Sequence, residues 1–264
     1  MKFLLPTVAL LLADVVLASP LAAKALARGL TTTRRRTHVL LPAPATGITE
    51  GTNAQTSSNW AGAVITSSNV TEVTGTFIVP KPTPPSGGSS STQYCGAAWV
   101  GIDGDSCQSG LIQTGVFWCV QNGATSYEAW YEYIPAASVA FSGITVSAGN
   151  EIKVTVTRTG AHGGVTTLEN VSTGVTKSHT FTNDNQGTLC GANAEWIVED
   201  FEEGSSLVPF ADFGTVTFSG SSYIAGGKTL TPGSGGAEEI VLNQGSGALT
   251  STTISGGTVT VKYV

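Results

Sequence analysis

Residues 193–203 read "NAEWIVEDFEE". Five of these eleven residues are acids, interleaved with Trp196, Ile197, Val198 and Phe201. With a strand's period of two, Glu195, Ile197, Glu199 and Phe201 share one face, and Trp196, Val198 and Asp200 share the other. Neither face is cleanly apolar and neither is cleanly wet. A strand that only filled a core would not carry carboxylates beside its large apolar groups, so the question is what those carboxylates face.

The surroundings of this stretch are strands as well. "AGAVITS", "TEVTGTFIVP", "AAWVGID", "GLIQTGVFW", "SYEAWYEYIP", "ITVSAGNEIKVTVTRT", "VTTLENVST" and "KSHTFTN" precede it, and "TVTFSG", "EEIVLNQ" and "TVTVKYV" follow. Turn residues separate them at intervals near ten residues, the pattern of an antiparallel β-sandwich or jelly roll. The 33 glycines and 11 prolines in 264 residues suit short strands and turns. The loop "KPTPPSGGSSST", residues 81–92, reads as a mobile surface segment or a processing site. No internal repeat is present, and one domain is expected from residue 55 to 264.

The first 54 residues differ. Lys2, the apolar run "FLLPTVALLLADVVLA" and Ala18-Ser19-Pro20 make residues 1–18 a secretory signal, too short and too interrupted by Asp14 for a membrane span. Residues 19–54 carry Lys24, Arg28, Arg34, Arg35, Arg36 and His38 against one acid, Glu50. The body that follows has six Lys and Arg against 16 Asp and Glu. A basic leader before an acidic body reads as a propeptide held by charge, with Arg34-Arg35-Arg36 as a processing signal. The formal charge of -6 argues against nucleic acid as a partner.

Cys95, Cys107, Cys119 and Cys190 form no C-x-x-C pair, and the body has only His162 and His179. No metal site and no cofactor are expected. In a secreted chain the four cysteines read as two disulfides. Asn69-Val70-Thr71 and Asn170-Val171-Ser172 are glycosylation acceptor motifs.

Familiar nucleophile systems are missing. There is no G-x-S-x-G, no H-E-x-x-H, and no Asp-Thr-Gly or Asp-Ser-Gly. What remains is carboxylates among aromatics: Glu128, Trp130 and Glu132 on one face of "SYEAWYEYIP", Trp99, Asp103 and Asp105 in "WVGIDGD", and Glu195 and Glu199. Rings beside a carboxylate remove water and favour its neutral form, which is how acid–base catalysts are prepared. Hydrogen-bonded structural networks do the same. Gln113, inside the apolar "GLIQTGVFW", is unusual, because a buried amide left unsatisfied costs about 1–3 kcal/mol. Facing a site, it would donate to an oxyanion and hold a water. Paired glutamates with rows of Tyr and Trp also describe secreted glycoside hydrolases, and aromatics alone would suit a carbohydrate-binding lectin.

"SNWAGAVI", "WVGIDGDSCQSGLIQTGV", "YEAWYEYIP", "FSGIT", "TLENVSTG" and "NAEWIVEDFEE" together resemble the fungal glutamic peptidases, the eqolisins, over essentially the whole body from Asn59 to the C-terminal "VKYV". The resemblance implies a lectin-like sandwich of two antiparallel sheets with a concave active-site face. It implies a secreted acid endopeptidase acting on proteins or peptides through a Gln/Glu dyad and a directly attacking water, with no cofactor. Its glutamine falls on Gln113 in Gln113-Thr114-Gly115. Its glutamate falls on Glu199, with Glu195 in reserve. Trp99, Asp103, Tyr131 and Glu132 match cleft-lining, substrate-binding positions. Cys107 and Cys190 match a family disulfide, which leaves Cys95 and Cys119 to each other. Two departures stand out: Gly204-Ser205 replaces a short disulfide loop of some members, and Phe117 sits where at least one member has an acid. The leader is expected to inhibit the body, and the mature protein to be a monomer free of the membrane.

Overall fold

The computed structural model describes residues 35–36, 54–182 and 187–264. The signal segment and the leader, apart from Arg35, Arg36 and Ala54, lie outside the described residues. The body is built from two eight-stranded sheets.

The front sheet runs in the order Ala54–Ser57, Glu238–Leu242, Trp60–Thr66, Asn193–Glu199, Tyr94–Ile102, Leu111–Gln121, Ala124–Ile134 and Val139–Ala140. The back sheet runs Val175–Phe181, Gly163–Asn170, Glu151–Gly160, Val70–Ile78, Thr215–Ala225, Thr258–Tyr263 and Thr250–Ser255, with Lys228–Leu230 also paired to Thr215–Ala225. Pairing within both sheets is antiparallel except between Ala54–Ser57 and Glu238–Leu242, which run parallel. A small third sheet pairs the backbone of Arg35–Arg36 with Glu202–Glu203, and that strand with Ser206–Leu207.

Burial separates the two large sheets. In Glu151–Gly160 the buried Ile152, Val154 and Val156 alternate with wetter residues, as expected of a sheet with one face on the core. Tyr94–Ile102 and Asn193–Glu199 are buried at every position. Their inward residues, among them Val100, Trp196 and Val198, meet Val73, Phe77, Val154 and Phe218 of the back sheet in the sandwich core. Their outward residues join a second apolar cluster of Trp60, Trp99, Leu111, Phe117, Trp130, Ile197 and Phe201. The centre of the front sheet is therefore covered on both sides, which explains why "AEWIVE" has no purely polar face.

Both disulfides are present. Cys95 and Cys119 are directly opposed across neighbouring strands. Cys107–Cys190 closes a span of 83 residues, equivalent to about 4.5 kcal/mol in the chain-entropy account.

Three local readings change. In "ITVSAGNEIKVTVTRT" the strand begins only at Glu151. Residues before it turn at Gly149, whose φ is 82°, and Asn150 Oδ1 accepts the backbone N–H of Ser147 at 2.9 Å. The 81–92 loop is pinned to the body where the backbones of Thr83 and Asp212 exchange hydrogen bonds of 2.8 and 3.0 Å. Thr250–Ser255 is a strand that its Ser- and Thr-rich sequence does not announce. It is held by pairing with Thr258–Tyr263, not by large apolar side chains.

Candidate active site

Strand register organises the outer face of the front sheet into rows. One row runs Glu199, Ala97, Phe117 and Glu128. The next runs Ile197, Trp99, Gly115 and Trp130, and the third Glu195, Gly101, Gln113 and Glu132. Side chains two residues apart on a strand share a face, so all three rows look the same way. Residues predicted from separate motifs, Gln113, Glu132, Trp99 and Glu199, thus meet on one face.

Trp99 ties the rows together. Its indole Nε1–H donates to Glu199 Oε2 at 2.7 Å. The far edge of the ring lies over Gly101, where a Cβ would stand 2.9 Å from Trp99 Cζ3. Gly115 is also required, since a Cβ there would come within 2.1 Å of the Ala98 carbonyl oxygen. Trp60 packs edge-on to Trp99 with ring centroids 5.0 Å apart. On the other side, Phe117 stacks on Trp130 at 4.6 Å and touches Phe201 at 4.5 Å. The indole is held by rings and by two missing side chains, and it presents one donor to one carboxylate.

Glu199 Oε1 faces a second donor, Asn59 Nδ2, at 3.4 Å. Gln113 Nε2 donates to Glu132 Oε2 at 2.8 Å, across directly paired positions. Gln113, Glu132, Glu195 and Glu199 are all buried in the full chain.

Glu195 has different surroundings. Neither of its oxygens has a hydrogen-bond partner among the described residues. Oε2 lies near Gly101, in company with Trp99 Cζ3 and Leu111 Cδ1. Burial first, then the charges of Asp103 and Asp105, pushes its carboxyl well above the usual carboxylate range. Asp105 is itself raised, by burial and then by Glu238. These surroundings favour the neutral form of Glu195, although register sets it level with Gln113.

Residues 58–263 match the Peptidase A4 family. The chain belongs to that family. Aspergillopepsin-2 of Aspergillus niger is 48% identical over 227 residues, 81% of this chain and 80% of that protein. Scytalidopepsin B of Scytalidium lignicola is 41% identical over 218 residues, covering 80% of each. A crystal structure of scytalido-glutamic peptidase with a transition state analog inhibitor superposes with a TM-score of 0.71 at 40% identity, covering 78% of this chain and 98% of that one. Aspergilloglutamic peptidase from Aspergillus niger gives a TM-score of 0.62 at 51% identity over 65% of this chain and 99% of that one. The protein is a glutamic-type peptidase, a hydrolase of peptide bonds, which sets aside the glycosidase and lectin readings.

Within this glutamic peptidase, two residues matched to the cleft lie elsewhere. Asp103 is fully buried at the strand end, and its φ is 72°. Its carboxylate accepts the backbone N–H groups of Gly191 at 2.9 Å, Ala192 at 2.6 Å and Asn193 at 3.3 Å. It clamps the segment carrying Cys190 to the start of the Glu199 strand. Tyr131 falls on the opposite face of its strand from Trp130 and Glu132, because neighbouring residues point to opposite sides. Its ring stacks on His179 at 4.1 Å and packs on Phe141 and Phe181. Phe117, where a relative's acid was expected, supports the aromatic wall.

The two glycosylation motifs separate as well. Asn69 is exposed in a left-handed turn with φ 54°. Asn170 is fully buried, and its Nδ2 donates to the Thr145 carbonyl at 2.9 Å and to Asn150 Oδ1 at 3.0 Å. A glycan on that nitrogen would displace both bonds and has no space, so Asn170 is withdrawn as an acceptor. Sequence reasoning missed Asn59. Its place in "SNWAGAVI", just before a fully buried tryptophan, was the available signal.

Proposed function

We propose that the chain is a secreted acid endopeptidase in which Glu199 is the general base and Gln113 the oxyanion donor. The carrying observation is that both oxygens of Glu199 face N–H donors, while Gln113, held by Glu132, looks out from the same sheet face. Donors on a carboxylate favour its ionised form, which keeps Glu199 available as a base in acid. Glu199 takes a proton from a water, the water attacks the scissile carbonyl, and the Gln113 amide stabilises the oxyanion. The protonated Glu199 then gives its proton to the leaving amine. Acid pH suits a glutamate base, whose ordinary range near 4.3 matches it to the medium.

We also propose that the leader inhibits the body until it is removed. Backbone pairing sets Arg35 opposite Glu203 and Arg36 opposite Glu202, three residues beyond Glu199. The leader is basic and the body acidic, and unlike charges attract. Acidification neutralises glutamates and weakens the attachment. The test combines two assays on denatured protein substrate: release of new amine ends in acid, and inhibition by an added leader peptide 19–54 at low salt near neutral pH. Absence of cleavage sinks the enzymatic reading, and a peptide without effect sinks the leader's role.

A further inference from the structure

We infer that Asn59, fixed by Ser57, is a positioning residue that aims the Glu199 carboxylate and sets the pH at which it takes its proton. The inference rests on Glu199 being the base. Ser57 Oγ accepts the backbone N–H of Asn59 at 3.2 Å and of Trp60 at 3.0 Å. Its own proton goes to Asn59 Oδ1 at 3.0 Å. A hydroxyl with two accepted bonds has one proton to give, so the amide oxygen turns to Ser57 and the NH2 turns to Glu199. That removes the usual ambiguity about which end of an amide faces its neighbour.

The turn is tied to the base from the backbone too. The N–H of Asp200 donates to the Asn59 carbonyl at 2.8 Å, and Ser57 and Asn59 are both buried. The Asn59–Glu199 contact of 3.4 Å is long, as catalytic contacts commonly are before substrate binds.

The electrostatic setting makes this donor consequential. No strand of the front sheet contains Lys, Arg or His. Among the described residues, the titratable groups around Glu199 are Glu195 on its own strand, Asp200 beside it, Glu128 and Glu132 from Ala124–Ile134, and Glu202 from the hairpin that follows. The Trp60–Thr66, Tyr94–Ile102 and Leu111–Gln121 strands bring no titrating group to this face. Among the described residues, acids lie around Glu199 and two neutral donors reach its oxygens. Trp99 reaches one oxygen and Asn59 the other.

The experiment uses the full chain expressed with its leader and incubated in acid. kcat and KM for a peptide substrate are measured across the acid range, with thermal midpoints alongside. Asn59→Asp replaces a donor with a like charge, so the acid limb of kcat/KM should move to higher pH by about one unit. Asn59→Ala should lower kcat roughly tenfold or more with KM little changed. Ser57→Ala should act in the same direction, and Ser57→Thr should restore activity. An unmoved acid limb in Asn59→Asp, or a kcat loss that follows the thermal midpoint and is not rescued by Ser57→Thr, overturns the inference. If Asn59→Asp does not fold, the kcat-against-KM split of Asn59→Ala and the Ser57 pair decide it. Glu199→Gln in the same assay separates the two claims: residual turnover there refutes the base itself, whatever Asn59 does.

Discussion

Glu195 and Glu199 lie four residues apart on one strand, on one face, with Trp99 between them. Their environments diverge. Glu199 meets the indole N–H of Trp99 and the amide of Asn59. Glu195 meets ring and methyl carbon, and two aspartates close enough to oppose its charge. The strand supplies two similar carboxyls, and their neighbours differ: N–H donors meet the oxygens of Glu199, while burial and nearby aspartates favour the neutral form of Glu195. Position in the sheet does not separate them in favour of Glu199, since register sets Glu195 level with Gln113; donors and desolvation do.

Several substitutions test that contrast. Glu199→Gln keeps the shape and removes the base, so peptide hydrolysis should fall to background while the unfolding midpoint in acid is kept. Gln113→Ala should lower kcat at least about 100-fold, the size found when other oxyanion donors are deleted. Steady-state kinetics on one peptide measures both. A Gln113→Ala enzyme with near-normal kcat would leave Glu199 without its partner.

Asp103→Asn should act on stability. It weakens a clamp of three backbone N–H bonds at a fully buried carboxylate. A loss of about 1–3 kcal/mol is expected in urea titration, with kcat changed far less than in Gln113→Ala. A large kcat loss at unchanged stability would return Asp103 to the cleft.

The smallest effect in acid, growing with pH, is expected at Asp200. Burial raises its carboxyl to about 8, the Gln244 hydrogen bond at 2.6 Å opposing the rise. A raised carboxyl contributes its full stability below the unfolded value near 4. That contribution is lost as pH rises toward 8, because the unfolded chain ionises first. The loss is up to about 5 kcal/mol for a shift of this size. Glu195, raised in the same sense, adds to it. Asp200→Asn should therefore flatten the fall in urea midpoint between pH 4 and pH 7 while changing it little at pH 4. An unchanged slope would mean that Asp200 ionises normally in the fold.

The sequence foretold much of this in physical terms. Period-two alternation in "EIKVTVTRT" and the turn spacing made the sandwich legible, and the motifs around Gln113 and Glu199 located the candidate pair. Three things were not legible. Asp103 lies in the same motif as Trp99, yet its left-handed backbone turns its carboxylate to three N–H groups of a distant segment. Tyr131 neighbours Glu132, and a shift of one residue along a strand reverses the face. Asn59 gains its meaning from a contact across 140 positions, which no local pattern carries.

The most direct test is the rate of peptide hydrolysis in acid by Glu195→Gln beside Glu199→Gln, on the same substrate and with equal folded fractions. Burial favours the neutral form at position 195 and Gln resembles that form, so Glu195→Gln should keep appreciable activity, while Glu199→Gln should show none. An inactive Glu195→Gln beside an active Glu199→Gln would contradict the account and move the catalytic glutamate two rows, to the position level with Gln113.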